Sequence, residues 1–455
     1  MNSVPAPAPP SSSLELAARA ARQLGRVQAR HRLPGVSASV AGPEGPLWSG
    51  AVGYADVASE RLATADTQFR VGSITKTFTA VAVLRLRDAG RLGLDDALSL
   101  HLPELGGWPV TLRHLLTHAS GLQREPPGRV WEREQMPSTA EFLAAASGAE
   151  RVLEPDEHWH YSNLGFALLG EVVARVSGRP YTKVVEEEIL VPLGLSRTGW
   201  HPRAPQATGY LVDPRTDTVQ VEAALDLNGL AAAGQLWSTT EDLCRWGLFL
   251  ASPDPRVLRP ATAEEMLRLR IMSDPDRWTT GWGLGVMLWR RGDRFFAGHL
   301  GGMPGHRAAL VVSRAEPRAA AVLVNATSGG EIGEIGLDLI ELALDLCPAP
   351  STPWRPWATL PAEMAGVIGA WWSEGTEVNF AHRGGRLEAR PAGAAEEQTS
   401  VFQQVEPDVW RTVSGPERGE RLEVERDAGG RVTCLRWATY RFDREPALFG
   451  AGSAS

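Results

Sequence analysis

Apolar residues follow two different periods along the first 346 residues, and these periods separate strands from helices. Residues 36–40 and 47–54 alternate in polarity and are joined by a glycine- and proline-rich turn, which predicts a β-hairpin. Two strongly apolar runs, residues 308–312 and 319–325, predict buried strands at the other end of this region. Just before them, residues 295–302 predict a strand that runs into a glycine-rich site.

Between these strands the apolar residues recur with a helical period of three to four. The predicted helices cover residues 14–32, the segment after Ser73, residues 111–122 with a glycine stop, a helix opened by residues 159–165 and running to residue 176, a helix after a capping box of Ser238 and Glu241, and residues 332–346. Strands at both ends and helices in the middle predict an α/β (α+β) fold. In it, a sheet is built from both ends of the region and a helical subdomain is inserted.

The pattern changes after residue 346. Residues 347–360 are rich in proline and predict a linker. Residues 361–446 fold back at Gly384-Gly385 and again at 427–430, which is typical of a small antiparallel β domain. We therefore expect a disordered tail at 1–13, a main domain at 14–346, the linker, the β domain, and a second tail at 447–455.

Charge and composition narrow the class of protein. A net charge of −8 argues against nucleic acid or an anionic membrane surface as the main partner. Three widely spaced cysteines give neither a disulfide framework nor a zinc site, and they indicate a reducing compartment. No apolar run approaches the ~18 residues needed to span a bilayer, and the N-terminal residues do not resemble a signal peptide. We expect a cytoplasmic protein, and its oligomeric state stays open.

Ser73 and Lys76 are the first candidates for chemistry. Residues three apart lie on one face of a helix, so the amine can reach the hydroxyl. A serine is a poor nucleophile until a base takes its proton, and a lysine can be that base only if burial or nearby cations lower its pKa. The chain has only one other lysine, Lys183, and uses arginine everywhere else. Taken alone, the pair also fits a surface lysine beside a helix-capping serine.

Two pairs of histidines are weaker candidates. His114 and His118 are spaced like metal ligands on a helix, and His158 and His160 alternate around a tryptophan. Neither pair has the further ligands that a metal site needs. We therefore predict no metal site, and we expect the first pair to be polar residues buried between helices.

Three spaced motifs occur in order along the chain: Ser73-x-x-Lys76, Tyr161-x-Asn163 and His299-x-Gly301. Together they resemble the serine β-lactamase and penicillin-binding-protein-like family. The resemblance is to the branch that holds class C β-lactamases, D-alanyl-D-alanine carboxypeptidases, D-aminopeptidases and related esterases. It covers about residues 20–346 and implies a β-lactamase-like antiparallel sheet flanked by helices.

The resemblance also implies roles for these residues. Ser73 would be the acylated nucleophile and Lys76 would share its proton, while Tyr161 is a phenol that could act as the base if Lys76 depresses its pKa. Which of the two is the base stays open. Asn163 would orient Lys76 and a substrate carbonyl.

The third motif would complete the substrate site. The N–H groups of Ser73 and Gly302 would form the oxyanion hole, beside His299 and Gly301. The resemblance implies no cofactor.

His299 departs from the β-lactamase pattern, which usually has lysine at this position. With an unperturbed pKa near 6.5, histidine is mostly neutral at pH 7. We therefore expect substrates whose carboxylate is absent or unimportant, and anionic substrates should improve as the pH falls through about 6.5.

The leading prediction is a serine hydrolase that cleaves esters or small amides through a Ser73 acyl-enzyme. Its partner would be a small-molecule ester, amide or β-lactam. One alternative is a β-lactamase or a D-amino-acid carboxypeptidase or aminopeptidase, and another is a catalytically slow binding or scaffold protein.

Overall fold

The computed structural model describes residues 11–132, 135–328, 330–349, 353–356 and 359–446. The contacts within it divide the chain into two compact units, Met1–Pro350 and Ser351–Ser455. The expected tail at 447–455, most of the expected tail at 1–13 and part of the expected linker lie outside the described residues. The first helix begins at Ser11 rather than at residue 14, so the last three residues expected in the N-terminal tail are helical.

The first unit contains thirteen strands among its described residues. They are β1 (Gly35–Gly42), β2 (Gly45–Asp56), β3 (Arg61–Leu62), β4 (Phe69–Arg70), β5 (Tyr210–Val212), β6 (Val219–Val221), β7 (Trp237–Ser238), β8 (Ile271–Met272), β9 (Thr280–Trp282), β10 (Met287–Arg291), β11 (Arg294–Met303), β12 (His306–Ser313) and β13 (Arg318–Val324). Nine of them form one antiparallel sheet in the order β3-β2-β1-β13-β12-β11-β10-β9-β8. The β1–β2 hairpin pairs with β13, which confirms that both ends of the region build the sheet.

The helices of this unit, as far as the structure describes it, cover both faces of the sheet. They are α1 (Ser11–Arg30), α2 (Thr75–Asp88), α3 (Leu98–His101), α4 (Leu112–Thr117), α5 (Thr139–Ala146), α6 (Asn163–Ser177), α7 (Tyr181–Val185), α8 (Ala231–Gly234), α9 (Thr240–Ala251), α10 (Pro260–Met266) and α11 (Ile332–Leu346). Alternate side chains of β12 point to opposite faces. Leu310 and Val312 pack with the core of the inserted helices, and Ala309 and Val311 pack with α1 and α11.

Two helix ends differ from the sequence prediction. Helix α4 ends at His118, which adopts a left-handed φ of 58°, so the predicted glycine stop at Gly121 is wrong. Helix α9 is capped by Thr239, whose hydroxyl accepts the N–H of Asp242, rather than by the predicted Ser238. At α4 His118 itself adopts the left-handed conformation that a glycine would supply, and at α9 the Thr239 hydroxyl supplies the capping acceptor.

The second unit is a meander of eight antiparallel strands. They are β14 (Gly369–Ser373), β15 (Thr376–Arg383), β16 (Arg386–Pro391), β17 (Ser400–Glu406), β18 (Val409–Ser414), β19 (Arg421–Arg426), β20 (Val432–Trp437) and β21 (Tyr440–Phe442). Trp372 and Asp443 exchange two backbone hydrogen bonds of 2.7 and 3.0 Å, so the first strand meets the end of the last and the meander closes on itself. Its interior is filled by apolar side chains, including Trp371, Phe402 and Trp410.

Candidate active site

Ser73 lies in a single 3-10 turn, Gly72–Ile74, that leads directly into α2. Gly72 has a left-handed φ of +52°, which favours glycine and turns the chain sharply before the helix. The Nζ atom of Lys76 stands 3.0 Å from the Ser73 Oγ. The structure therefore brings together the first two predicted residues in the geometry that the spacing predicted.

Lys76 is completely buried, and its amine contacts three neutral oxygens. Besides Ser73, these are the Oδ1 of Asn163 at 2.7 Å and the backbone carbonyl of Ala233 at 2.6 Å. Burial lowers the pKa of Lys76 well below its usual value, the nearby Glu125 carboxylate opposes the shift, and Arg124 adds to it. A neutral amine can donate to two of these oxygens and accept the Ser73 proton with its lone pair. The surroundings thus suit a lysine that takes up a proton.

Tyr161 completes the group around the serine. Burial raises the pKa of its phenol well above the usual value, and a hydrogen bond with the Ser73 side chain opposes this shift. The Lys76 Nζ lies 4.9 Å from the centre of the tyrosine ring, and the Arg124 guanidinium lies 4.8 Å from it. The condition on which Tyr161 was expected to be a base, a pKa depressed by Lys76, is therefore not met in this site.

Asn163 is held from two sides. Its Oδ1 accepts from Lys76, and its Nδ2 donates to the Glu125 Oε1 at 2.6 Å. Glu125 lines the same pocket as Ser73, and its second carboxylate oxygen is buried without a partner in the part of the protein that the structure describes. The sequence analysis missed Glu125, because it lies in a loop whose residues follow no periodic pattern or motif.

The glycines of the third motif place strand β11 against the serine turn. A side chain on Gly301 would lie 1.9 Å from the Val71 carbonyl, and one on Gly72 would lie 2.6 Å from the Gly302 amide nitrogen. Ser73 and Gly302 line one small pocket of about 40 Å³, together with Trp131, Leu227, Leu230 and Met303 among others. The two backbone N–H groups expected to bind an oxyanion therefore come from adjacent segments.

His299 is buried in strand β11, three residues before Gly302. Its Nδ1 lies 2.5 Å from the Leu300 carbonyl, and its ring stands 5.2 Å from that of Trp282. Burial, aided by the Lys76 charge, lowers the pKa of His299 to about 3. This lowered pKa contradicts the expectation that the charge of His299 changes near pH 6.5, because burial disfavours the charged ring.

His118 is also buried here, and its ring stacks on Tyr161 with 4.3 Å between centroids. His114 instead bonds to Asp156 near the surface. Among the described residues, no group of three or more histidine, cysteine, aspartate or glutamate side chains is arranged to hold a metal ion. Within the same residues, no helix has the length and apolar character required to cross a membrane.

Comparison with known proteins places this site in a family. A family model described as Beta-lactamase matches residues 18–345, and a model described as a domain of unknown function, DUF7586, matches residues 360–444. Penicillin-binding protein 4* of Bacillus subtilis is 27% identical over 288 residues, which are 58% of this chain and 62% of that protein. The chain thus spans less than two thirds of that relative.

Two solved structures share the fold of the first unit. A D-stereospecific amidohydrolase from Streptomyces sp. is 28% identical with a TM-score of 0.61, covering 73% of this chain and 99% of that one. The D-amino acid amidase of Ochrobactrum anthropi SV3 is 26% identical with a TM-score of 0.61, covering 73% of this chain and 98% of that one. In both, the likeness extends over nearly the whole of the known structure.

Proposed function

Because the chain belongs to the beta-lactamase family, we propose that it is a serine hydrolase that cleaves small amides and esters through an acyl-enzyme on Ser73. One observation carries the proposal. The completely buried Lys76 amine lies 3.0 Å from the Ser73 hydroxyl, in surroundings that lower its pKa well below the usual value. A surface lysine beside a capping serine would have neither property.

Acylation would begin with the transfer of the Ser73 proton to neutral Lys76. The Ser73 Oγ forms a bond to the substrate carbonyl carbon, and the carbonyl electrons move to its oxygen. The N–H groups of Ser73 and Gly302 would stabilise that oxyanion, and a donor of this kind is typically worth about 10²–10³ in rate. This step turns Lys76 into an ammonium, which the oxygens of Asn163 and Ala233 stabilise.

Collapse of the intermediate breaks the bond to the leaving group, which must receive a proton. The Tyr161 hydroxyl, which is hydrogen-bonded to Ser73 in the free enzyme, would donate its own proton to the leaving group and take the proton of the Lys76 ammonium in exchange. A tyrosine whose pKa is raised suits a relay, because it holds its own proton until another arrives. Water then repeats the sequence at the ester of Ser73, releasing an acid and restoring the hydroxyl.

The charges around the pocket favour substrates with an amine. The Glu125 carboxylate lines the pocket with one oxygen unpartnered in the described structure and the other 3.5 Å from the Arg124 guanidinium, so the unpartnered oxygen would attract an ammonium group. His299 is neutral and offers no cation to a carboxylate. Amino acid amides with an unblocked amine carry an ammonium group and no carboxylate. The names of both structural relatives, an amidohydrolase and an amidase, describe enzymes that act on amides. We therefore place D-amino acid amides and neutral esters ahead of β-lactams.

Intact-mass measurement after exposure to a fluorophosphonate tests the nucleophile. We expect one adduct on the wild type and none on Ser73→Ala. A Ser120→Ala variant, which removes a different buried hydroxyl, should label normally. An adduct that persists in Ser73→Ala would contradict the proposal.

The Glu125→Gln variant tests the substrate class. Glutamine keeps an oxygen for Asn163 but removes the charge. We expect kcat/KM for D-phenylalanine amide to fall by about 10–100-fold, as for a charged hydrogen bond of about 1.5–3 kcal/mol. The value for p-nitrophenyl acetate should stay within about threefold. Equal losses on both substrates would mean that Glu125 acts through Asn163 and Lys76 rather than on substrate charge.

A further inference from the structure

The segment that carries Tyr161 has no regular structure of its own. Residues 159–162 belong to no helix or strand, and α6 begins only at Asn163. The tyrosine must nevertheless hold its hydroxyl within reach of Ser73 if it is to pass a proton. A misplacement of about 1 Å can cost about 10²-fold in rate, so something outside the segment has to fix it.

His118 contacts the residues on both sides of the tyrosine. Its backbone carbonyl accepts the N–H of His160 at 2.8 Å, and its imidazole Nδ1 accepts the N–H of Ser162 at 3.1 Å. Between these two bonds, its ring stacks on the ring of Tyr161 at 4.3 Å with 30° between the planes. One fully buried residue therefore holds the backbone on both sides of the tyrosine and stacks on its ring.

We propose that His118 is a positioning residue that holds the Tyr161 hydroxyl against Ser73. The inference rests on the proposed function, because it gives Tyr161 a part in the reaction at Ser73. His118 acts through the tyrosine and does not itself touch the reacting atoms.

The conformation and the protonation of His118 both fit this role. Its left-handed backbone ends helix α4, so the carbonyl and the imidazole turn together toward the segment of Tyr161. Only a neutral ring with its proton on Nε2 can accept the Ser162 N–H at Nδ1. Burial lowers the pKa of His118 well below its usual value and keeps the ring neutral.

Two substitutions separate positioning from mere space filling. In His118→Asn, the Oδ1 stands on Cγ where Nδ1 stands in histidine, and asparagine also tolerates a left-handed backbone. In His118→Leu, the bulk is kept but the acceptor is lost. We expect the leucine variant to lose about 10²-fold in kcat for p-nitrophenyl acetate with KM within about threefold, and the asparagine variant to stay within about tenfold of the wild type.

His114→Asn is the matched control. This histidine lies on the same helix and bonds to Thr111 and Asp156, but it does not contact Tyr161. Its substitution should leave kcat unchanged even if the melting temperature falls. Equal losses in His118→Asn and His118→Leu, or near-normal kcat in His118→Leu, would overturn the inference.

A second measurement does not depend on activity. Nitrogen NMR of the His118 ring, assigned by its absence in His118→Asn, should show the neutral form protonated at Nε2 at pH 7. A ring protonated at Nδ1 would overturn the inference whatever the kinetics. If the wild type is never acylated at Ser73, the proposed function fails first. The His118 inference fails with it, because Tyr161 then has no proton to carry. Normal labelling of Ser73 together with a His118 ring protonated at Nδ1 would reject the inference and leave the proposed function standing.

Discussion

At the scale of single residues, the site depends on keeping a lysine where the chain otherwise uses arginine. Lys76 is enclosed by three neutral oxygens, and burial penalises its charge. Arginine would keep a cation in the same place but could not give up its proton, because its pKa lies above 12. The site therefore needs a residue that can lose its proton and act as a base, and a permanent positive charge at this position would not suffice.

We expect Lys76→Arg to lower the rate of Ser73 acylation by at least about 10²-fold, in line with the usual contribution of a general base. The measurement is the burst of p-nitrophenol from p-nitrophenyl acetate. The control is Lys183→Arg, which changes the only other lysine, an exposed residue paired with Glu186. If Lys76→Arg retains most of the burst, the lysine is a structural cation and Tyr161 must be the base.

A second residue-scale prediction concerns acid stability. Burial and the Arg70 charge lower the pKa of His306 to about 3, whereas an unfolded histidine titrates near 6.5. Between these values the unfolded chain binds more protons, so the stability that this histidine contributes is complete above pH 6.5 and is lost as the pH falls. At pH 5 the loss is about 2 kcal/mol for this residue.

Urea unfolding at pH 7 and pH 5 measures this effect. The wild type should lose stability between the two values, and His306→Leu should lose about 2 kcal/mol less. An unaltered pH dependence in His306→Leu would mean that His306 is protonated in the folded protein.

At the scale of elements, the serine turn (Gly72–Ile74) and strand β11 pack so closely that their contact leaves no space for a side chain. Gly72 has a left-handed backbone and leaves no space for a side chain beside Gly302. Gly90, which follows α2, has a similar φ of +68°, but a side chain there would meet nothing within 4 Å. The two glycines therefore share a backbone penalty and differ only in the contact.

We expect Gly72→Ala to reduce fluorophosphonate labelling of Ser73 by at least about tenfold, because the turn must move away from the Gly302 amide. Gly90→Ala should label at the wild-type rate with a comparable backbone strain. Melting temperatures of both variants separate strain from misplacement. Similar labelling in the two variants would show that the close approach of the serine turn and β11 does not matter for acylation.

The fold of the first unit could largely be predicted from periodicity. The β1–β2 hairpin, the apolar strands β12 and β13, and helices α6 and α11 lie within a few residues of the predicted bounds. Strands β14, β17 and β18 of the second unit were not predicted, since each has only one or two fully buried residues and the β17–β18 pairing has shifts in register. Hydrophobic periodicity identifies a strand from the sequence only where one face of that strand is consistently buried.

The candidate site was predicted in part. The motifs identified Ser73, Lys76, Tyr161 and Asn163, which the structure brings together. Glu125 contacts this group from a loop, and the pKa of His299 depends on its burial. Neither property can be seen in a sequence, because both depend on residues that are distant along the chain.

At the scale of the whole molecule, all the candidate residues lie in the first compact unit, Met1–Pro350. We therefore expect a fragment of residues 1–350 to fold and to label at Ser73 with a fluorophosphonate, as measured by intact mass. The same fragment with Ser73→Ala is the control for chemical background. A fragment that is unfolded or unlabelled would mean that the two units share a core and that the boundary is wrong.

The pairing of β1 with β13 also has a consequence for how the protein is made. The Gly35 N–H donates to the side chain of Asn325, which follows 290 residues later. During synthesis the N-terminal hairpin leaves the ribosome long before its partner strand exists, and its open edge is exposed in the meantime. Contacts of such long range form slowly and leave partly folded chains prone to aggregation. The Ser73 nucleophile is translated well before Gly302 and strand β13, so the site is not complete until both of these have emerged.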